Sequence, residues 1–152
     1  MMRVAVLMGS SKDRPIMDKA VAVLEDFEVP HVVRVLSAHK TPDAAFEFAA
    51  TARQEGFDVI IAGAGKAAHL AGVMAAKTTI PVIGVPLSAS LDGMDALLAT
   101  VQMPTGVPVA TVAIDGSTNA ALLAIAILAL TDDRLADRLI TYRRDLAAAT
   151  ME

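Results

Sequence analysis

Arg3-Val4-Ala5-Val6-Leu7-Met8-Gly9-Ser10-Ser11-Lys12-Asp13-Arg14-Pro15 passes from a continuous apolar run, through a loop of small residues, into a segment with a helix-start signal. The same order returns twice. His31–Leu36 leads into Ser37-Ala38-His39-Lys40-Thr41-Pro42, and Asp58–Gly63 leads into Gly63-Ala64-Gly65-Lys66-Ala67-Ala68-His69 ahead of another helix-length segment. Val- and Ile-rich runs without polar alternation are the pattern of strands covered on both faces in a parallel sheet. Pro81–Val85 and Val109–Ile114 supply two more such runs. Strands alternating with helices through short connections take right-handed crossovers. The prediction is an α/β fold: a three-layer α/β/α sandwich around a parallel, doubly wound sheet, flavodoxin-like or Rossmann-like. Pro15 lies near the start of the first helix with Asp13 placed to cap it, and Thr41-Pro42 starts the second, the hydroxyl capping and the proline taking the first helical position.

Outside these repeats, the chain of 152 residues shows no linker, charge run or composition shift, so one domain over 1–152 is expected. Apolar residues make up 55% and charged ones 20%, against about 45–50% and about 25% in ordinary domains. Such a chain has little polar surface to clothe a monomer. A net charge of −4 without Lys/Arg clusters argues against a nucleic-acid partner, and the absence of cysteine excludes disulfides and thiolate metal sites. Met1-Met2-Arg3 enters the strand pattern at once, leaving no room for a signal peptide, so a cytoplasmic protein is expected. Asn119–Leu130 is apolar on every face and predicts a helix buried all round. It is shorter than the roughly 20 residues a bilayer span needs, and no membrane association is expected. Burial of that helix is met either by a central core position or by a neighbouring subunit; the low charge favours the homo-oligomer. Asp132–Ala147 is amphipathic and predicts a final helix over about 132–148, packed on its own subunit or embracing another.

In a parallel α/β sheet, loops at the carboxyl ends of strands gather around the topological switch point. The three repeated loops therefore meet, bringing together Asp13, three lysines (Lys12, Lys40 and Lys66) and His39 and His69. Ser10, Ser11 and the approachable backbone of the first loop, backed by a helix N-terminus, suit an anion; taken alone, the same residues more often cap a helix. Asp13 repels phosphate and fits ribose hydroxyls better. The first loop is not a Walker motif. Gly63, Gly65 and Ala68 match a loose dinucleotide pattern, but no acid follows Pro81–Val85 to hold an adenine ribose, which argues against nicotinamide. His39 stands at a strand end beside Lys40, and histidine is the side chain suited to moving protons near neutral pH. His31 reads as an edge residue. His69, among apolar neighbours, reads on its own as a structural histidine. Their spacing is no metal-ligand pattern, and there is neither a nucleophile elbow nor a cysteine nucleophile. The residues point to proton transfer on a small phosphorylated ligand.

Met8-Gly9-Ser10 with Asp13, Ser37-Ala38-His39-Lys40-Thr41-Pro42, Ile61-Ala62-Gly63-Ala64-Gly65 with Ala67-Ala68-His69-Leu70, and Pro81-Val82-Ile83-Gly84-Val85-Pro86 occur in that order. Val101-Gln102-Met103-Pro104, Gly106–Ile114 and Asn119-Ala120-Ala121-Leu122-Leu123-Ala124 follow them. Over nearly its whole length the chain thereby resembles the 5-(carboxyamino)imidazole ribonucleotide mutases, the PurE family of purine biosynthesis. That resemblance implies a flavodoxin-like fold, an octamer with active sites at subunit junctions, and no metal or organic cofactor. It implies a reaction that moves a carboxylate from the exocyclic nitrogen of an aminoimidazole ribonucleotide to a ring carbon. By position, His39 matches the family's acid/base histidine, Ser10 and Asp13 its nucleotide-binding pair, and Ser37 with Lys40 its phosphate side. His69, Ala64 and Gly65 match the loop bordering the migrating carboxylate.

Some positions depart from the family pattern. Lys66 stands where relatives usually have glycine, Ala71 where they have proline, and Lys40 where many have arginine. Lys12 and Arg14 replace Ser and Trp, and Asp95-Ala96-Leu97-Leu98-Ala99-Thr100 lacks two customary serines. Lys66 either contacts the carboxylate or obstructs it. Two alternatives stand beside the mutase: direct carboxylation by free carbon dioxide, which the Ala67-Ala68-His69-Leu70 loop argues against, and a catalytically weakened nucleotide-binding paralogue, which Lys66 and Ala71 motivate.

Overall fold

In the computed structural model, which describes residues 3–151, strands β1 (Arg3–Met8), β2 (His31–Val35), β3 (Phe57–Gly65), β4 (Val82–Leu87) and β5 (Ala110–Thr111) form one sheet. Between and after them lie α1 (Arg14–Asp26), α2 (Pro42–Thr51), α3 (Leu70–Lys77), α4 (Met94–Val101), α5 (Ser117–Leu128) and α6 (Asp133–Thr150). Every strand pair is parallel and the spatial order is β2-β1-β3-β4-β5. This is the flavodoxin-like order, whose switch point lies between β1 and β3.

The period-2 alternation of a strand divides the core in two. Val4, Val6 and Met8 of β1 point to the layer built by α1, α5 and the start of α6, with Met17, Leu24, Ile125 and Leu135. Ala5 and Leu7 point to the layer of α2 and α3, with Ala45, Ala49, Leu70 and Met74. Residues 4–8 are wholly buried, which is why that run shows no polar alternation. On β4, Gly84 has no room for a side chain: a Cβ there would lie 2.4 Å from Thr100 Cγ2 of α4.

Several expectations are corrected. Neither Asp13 nor Thr41 caps a helix through its side chain. Both side chains bond backward into their own loops, Asp13 to the Ser10 N–H and Thr41 to both backbone groups of Ser37. The prolines do sit at the helix starts. The fifth strand is Ala110–Thr111 instead of Val109–Ile114: regular pairing with β4 covers only these two residues, and beyond them single backbone bonds, Val112 N–H to the Gly84 carbonyl and Asp115 N–H to the Pro86 carbonyl, follow the edge of β4. The other boundaries also shift: β2 stops at Val35, β3 begins at Phe57 and continues through Gly65, and β4 runs Val82–Leu87.

The helix read as buried all round is, within one subunit, buried on one side, so its central-core form is not what is seen. Ala120, Ala121, Ala124, Ile125 and Leu128 of α5 are in the core, while Asn119, Leu123 and Ala126 face outward. Helix α6 covers α5 with Leu135 and Leu139 and then diverges, leaving a groove of about 650 Å³ that also exposes Ile140 and Leu146. The start of α6 is fixed by Asp132, whose carboxylate accepts from the Leu135 N–H, and by Arg138, which pairs with Glu28 at 2.8 Å.

Candidate active site

The loops after β1, β2 and β3 converge at the carboxyl edge of the sheet. Backbone bonds across the switch point set their spacing: Gly9 N–H donates to the Gly63 carbonyl at 3.1 Å, and Leu36 N–H to the Met8 carbonyl at 2.9 Å. The cleft they enclose has a volume of about 520 Å³. Ser10, Asp13, Ser37, His39, Lys40, Ala64, Gly65, Lys66 and His69 all line it. His31 does not; its Nδ1 lies 2.8 Å from the Val29 carbonyl at the opposite end of the sheet.

The first loop closes on itself in a single 3-10 turn, Ser11–Asp13. The Ser10 hydroxyl accepts from the Lys12 N–H at 3.2 Å, and Asp13 Oδ2 accepts from the Ser10 N–H at 3.1 Å. This capping box fixes the carboxylate while leaving Asp13 Oδ1 without a partner among the described residues. Burial lifts the Asp13 pKa above the ordinary aspartate value, against the opposing Ser10 N–H. In the second loop the Ser37 hydroxyl accepts from the Lys40 N–H at 3.0 Å, and Thr41 bonds both backbone groups of Ser37. The Ser37 hydroxyl keeps its own proton free to donate to a ligand.

His39 and His69 meet. Their rings stand edge to face with centroids 4.7 Å apart, and His39 Nε2 lies 2.6 Å from His69 Nδ1. One of these nitrogens donates and the other accepts, so the gap holds a single proton. His69 occupies the residue before α3 without capping it. Its apolar neighbours in the sequence suggest a structural histidine, while the family resemblance puts it in the site; the topology makes it the neighbour of the strand-end histidine. Lys12, Lys40 and Lys66 on the walls outnumber Asp13, which suits an anionic ligand. Among the described residues no three His, Asp or Glu side chains converge as a metal-ligand set.

A fourth element of the cleft was not expected. Ala89, in the loop after β4, completes the wall. The carboxyl-end rule that gathers the loops after the first three strands holds for β4 too. This loop is held at both sides: Asp115 Oδ1 accepts from the Ser88 N–H at 2.9 Å, and the Ser90 hydroxyl donates to Asp95 Oδ2. The Ser90 hydroxyl, together with the Ala96 N–H and the Lys66 charge, holds the Asp95 carboxyl below the usual range against a raising effect of desolvation.

Left-handed backbone occurs at Lys66 on the cleft wall, at Leu91, Asp92 and Asp115 in the segments beyond it, and at Glu28 away from it. Lys66, Leu91, Asp92 and Asp115 have φ between 48° and 58°, in the left-handed region that costs a non-glycine residue about 1–2 kcal/mol. Gly65 permits the approach of β3 to this fourth loop, since a Cβ there would lie 3.0 Å from Ala89 Cβ and 3.3 Å from the Leu87 carbonyl. Lys66 takes the left-handed turn immediately after it, a position for which glycine is the natural occupant.

Comparison with known proteins places the chain in a family. A family model described as AIR carboxylase matches residues 3–149. The chain is 55% identical over 147 residues to an N5-carboxyaminoimidazole ribonucleotide mutase of Pyrococcus abyssi, covering 96% of this chain and 84% of the relative. It is 54% identical over 145 residues to the Escherichia coli protein of the same name, covering 93% and 86%. A crystal structure of Treponema denticola PurE superposes with a TM-score of 0.88 at 30% identity, covering 99% of this chain and 95% of that one. With the match running through every strand and all the loops of the cleft, the chain belongs to the AIR carboxylase family.

Proposed function

We propose that this protein is a mutase of purine biosynthesis, moving a carboxylate from the exocyclic nitrogen to a ring carbon of an aminoimidazole ribonucleotide. The observation that carries the mechanism is the 2.6 Å approach of His39 to His69 in a cleft walled by three lysines. The reaction needs one proton delivered and one removed. As the N–C bond to the carboxylate breaks, its electron pair returns to the exocyclic nitrogen, which takes a proton, and carbon dioxide is left in the cleft. The ring carbon then attacks carbon dioxide, a C–C bond forms, and the proton on that carbon leaves. A single acid/base group that first gives and then recovers a proton balances both halves. His39 is that group in this reading. His69 holds its ring through the shared proton and supplies or accepts charge across the gap.

Ser37 and Lys40 bind the phosphate, Ser10 and the free oxygen of Asp13 the ribose, and Ala64, Gly65 and His69 border the migrating carboxylate. The protein works as an octamer with no organic cofactor or metal, in the cytoplasm. Support for assembly comes from the apolar residues left exposed on α4, α5 and α6. The test is to incubate the purified protein with the N-carboxylated ribonucleotide, and separately with uncarboxylated aminoimidazole ribonucleotide with and without bicarbonate. Conversion of the first without bicarbonate is expected. Turnover only of the second, and only with bicarbonate, would replace the mutase by a direct carboxylase; binding without turnover of either would leave a nucleotide-binding paralogue.

A further inference from the structure

Strand β3 ends at Gly65 and β4 at Leu87, paired in register, and the two chains leave the sheet side by side. Gly65 packs against Ala89 so closely that a methyl group would touch it. The residue after Gly65 is Lys66, and the residue after Ala89 is Ser90. Lys66 thus enters the cleft wall beside the Ser90–Asp95 pair. Asp95 is immobilised: its Oδ2 accepts from the Ser90 hydroxyl and its Oδ1 from the Ala96 N–H at 2.8 Å. Lys66, by contrast, makes no ion pair within 4.0 Å among the described residues, although its charge is felt at Asp95. A long cation without an ion pair among the described residues therefore stands on the cleft wall, between the loop that leads to Ser90 and the histidine pair. Its backbone is strained, and nothing in its packing explains a lysine there.

We propose that Lys66 is a transferable cation, resting toward Asp95 in the empty site and moving to the migrating carboxylate when the ribonucleotide binds, so that Asp95 sets how tightly carboxylated ligands are held. This inference rests on the mutase reading. Lys66 touches the ligand; Asp95 acts through Lys66 and is a positioning residue. The ammonium favours carboxylated over uncarboxylated ribonucleotide, and competition from Asp95 for that ammonium moderates the preference, keeping the carboxylated ligand from binding too firmly to be released. Attraction between opposite charges grows as the ligand excludes water from the cleft.

Calorimetric affinities for the ring-carboxylated and the uncarboxylated aminoimidazole ribonucleotides, measured on the whole protein and its variants, test this. The wild type is expected to prefer the carboxylated ligand by about tenfold. Lys66→Gly, which suits the left-handed backbone, and Lys66→Met, which keeps the side-chain length, should both bring the ratio close to one. Asp95→Asn should raise it severalfold by removing the competitor, and Asp95→Glu should return it toward the wild-type value. An unchanged ratio in both Lys66 variants overturns the role of Lys66. An equal loss of affinity for both ligands in Asp95→Asn overturns the competition and leaves Asp95 a purely structural residue. If the wild type binds neither ribonucleotide, the mutase reading itself falls; selective binding lost only in the Lys66 variants supports both.

Discussion

His39 and Asp13 show how neighbours set what a side chain does. His39 is exposed, but its Nε2 faces His69 Nδ1 at 2.6 Å, so its ring orientation is fixed before any ligand arrives. His39→Asn keeps hydrogen bonding and removes the ability to shuttle a proton; turnover should fall by at least about 100-fold with ligand affinity nearly intact. Steady-state rates alongside calorimetry check this, and near-normal turnover removes His39 from the mechanism. For Asp13, burial raises the pKa above the ordinary value. The folded state therefore holds the Asp13 proton to higher pH than the unfolded chain does. The ionised carboxylate costs stability above its folded pKa, and that cost fades as pH falls through it. Asp13→Asn, which retains an acceptor for the Ser10 N–H, should raise the melting temperature at pH 7, lose that advantage in acid, and weaken ribonucleotide binding. Thermal scans at both pH values decide; a less stable variant at neutral pH would count against the burial cost.

At the scale of elements, α4 is placed against β4 by one small residue. Thr100 is buried, donates its hydroxyl to the Ala96 carbonyl at 2.7 Å, and presents its methyl group to Gly84. A Cβ at Gly84 would meet Thr100 Cγ2 at 2.4 Å and Val109 Cγ1 at 3.0 Å. Both are β-branched side chains with little freedom to yield. Gly84→Ala should destabilise the fold by about 1–3 kcal/mol, read as a lower urea midpoint at unchanged slope. The same helix carries Asp95 at its first turn, so a displaced α4 also loosens the loop that bears Ala89. Double substitution with Thr100→Ala should recover part of the loss, since it removes the clashing methyl group.

Over the whole molecule, several large apolar side chains stay exposed. Its accessible surface of 8143 Å² is larger than the roughly 7,300 Å² expected for a compact monomer of this mass, and the excess has an apolar share. Leu91, Met94, Leu98 and Val101 line one side of α4 and the turn before it, 44–74% exposed. That stripe, with the groove between α5 and α6, suits large apolar contacts between copies of the chain. Light scattering at micromolar concentration should give an octameric mass. Leu98→Asp should lower that mass while leaving the circular dichroism spectrum unchanged; a monomeric wild type would remove the assembly expectation.

The order and type of the elements were determined by the sequence alone, because continuous apolar runs alternating with helix-length segments, the first two started by proline, admit few arrangements other than a parallel doubly wound sheet. The loops bearing Ser10, Asp13, His39 and Lys40 were legible for the same reason: strand ends can be read locally, and a parallel sheet gathers them on one edge. Tertiary structure alone decided the pairing of His39 with His69, since rings 30 positions apart meet only once β1 separates β2 from β3. It also decided the left-handed backbone at Lys66 and the packing of Gly65 against Ala89, which depend on how closely β3 and β4 leave the sheet. The exposed side of α5 belongs there too: its sequence is apolar all round, and only the divergence of α6 determines which side is left uncovered.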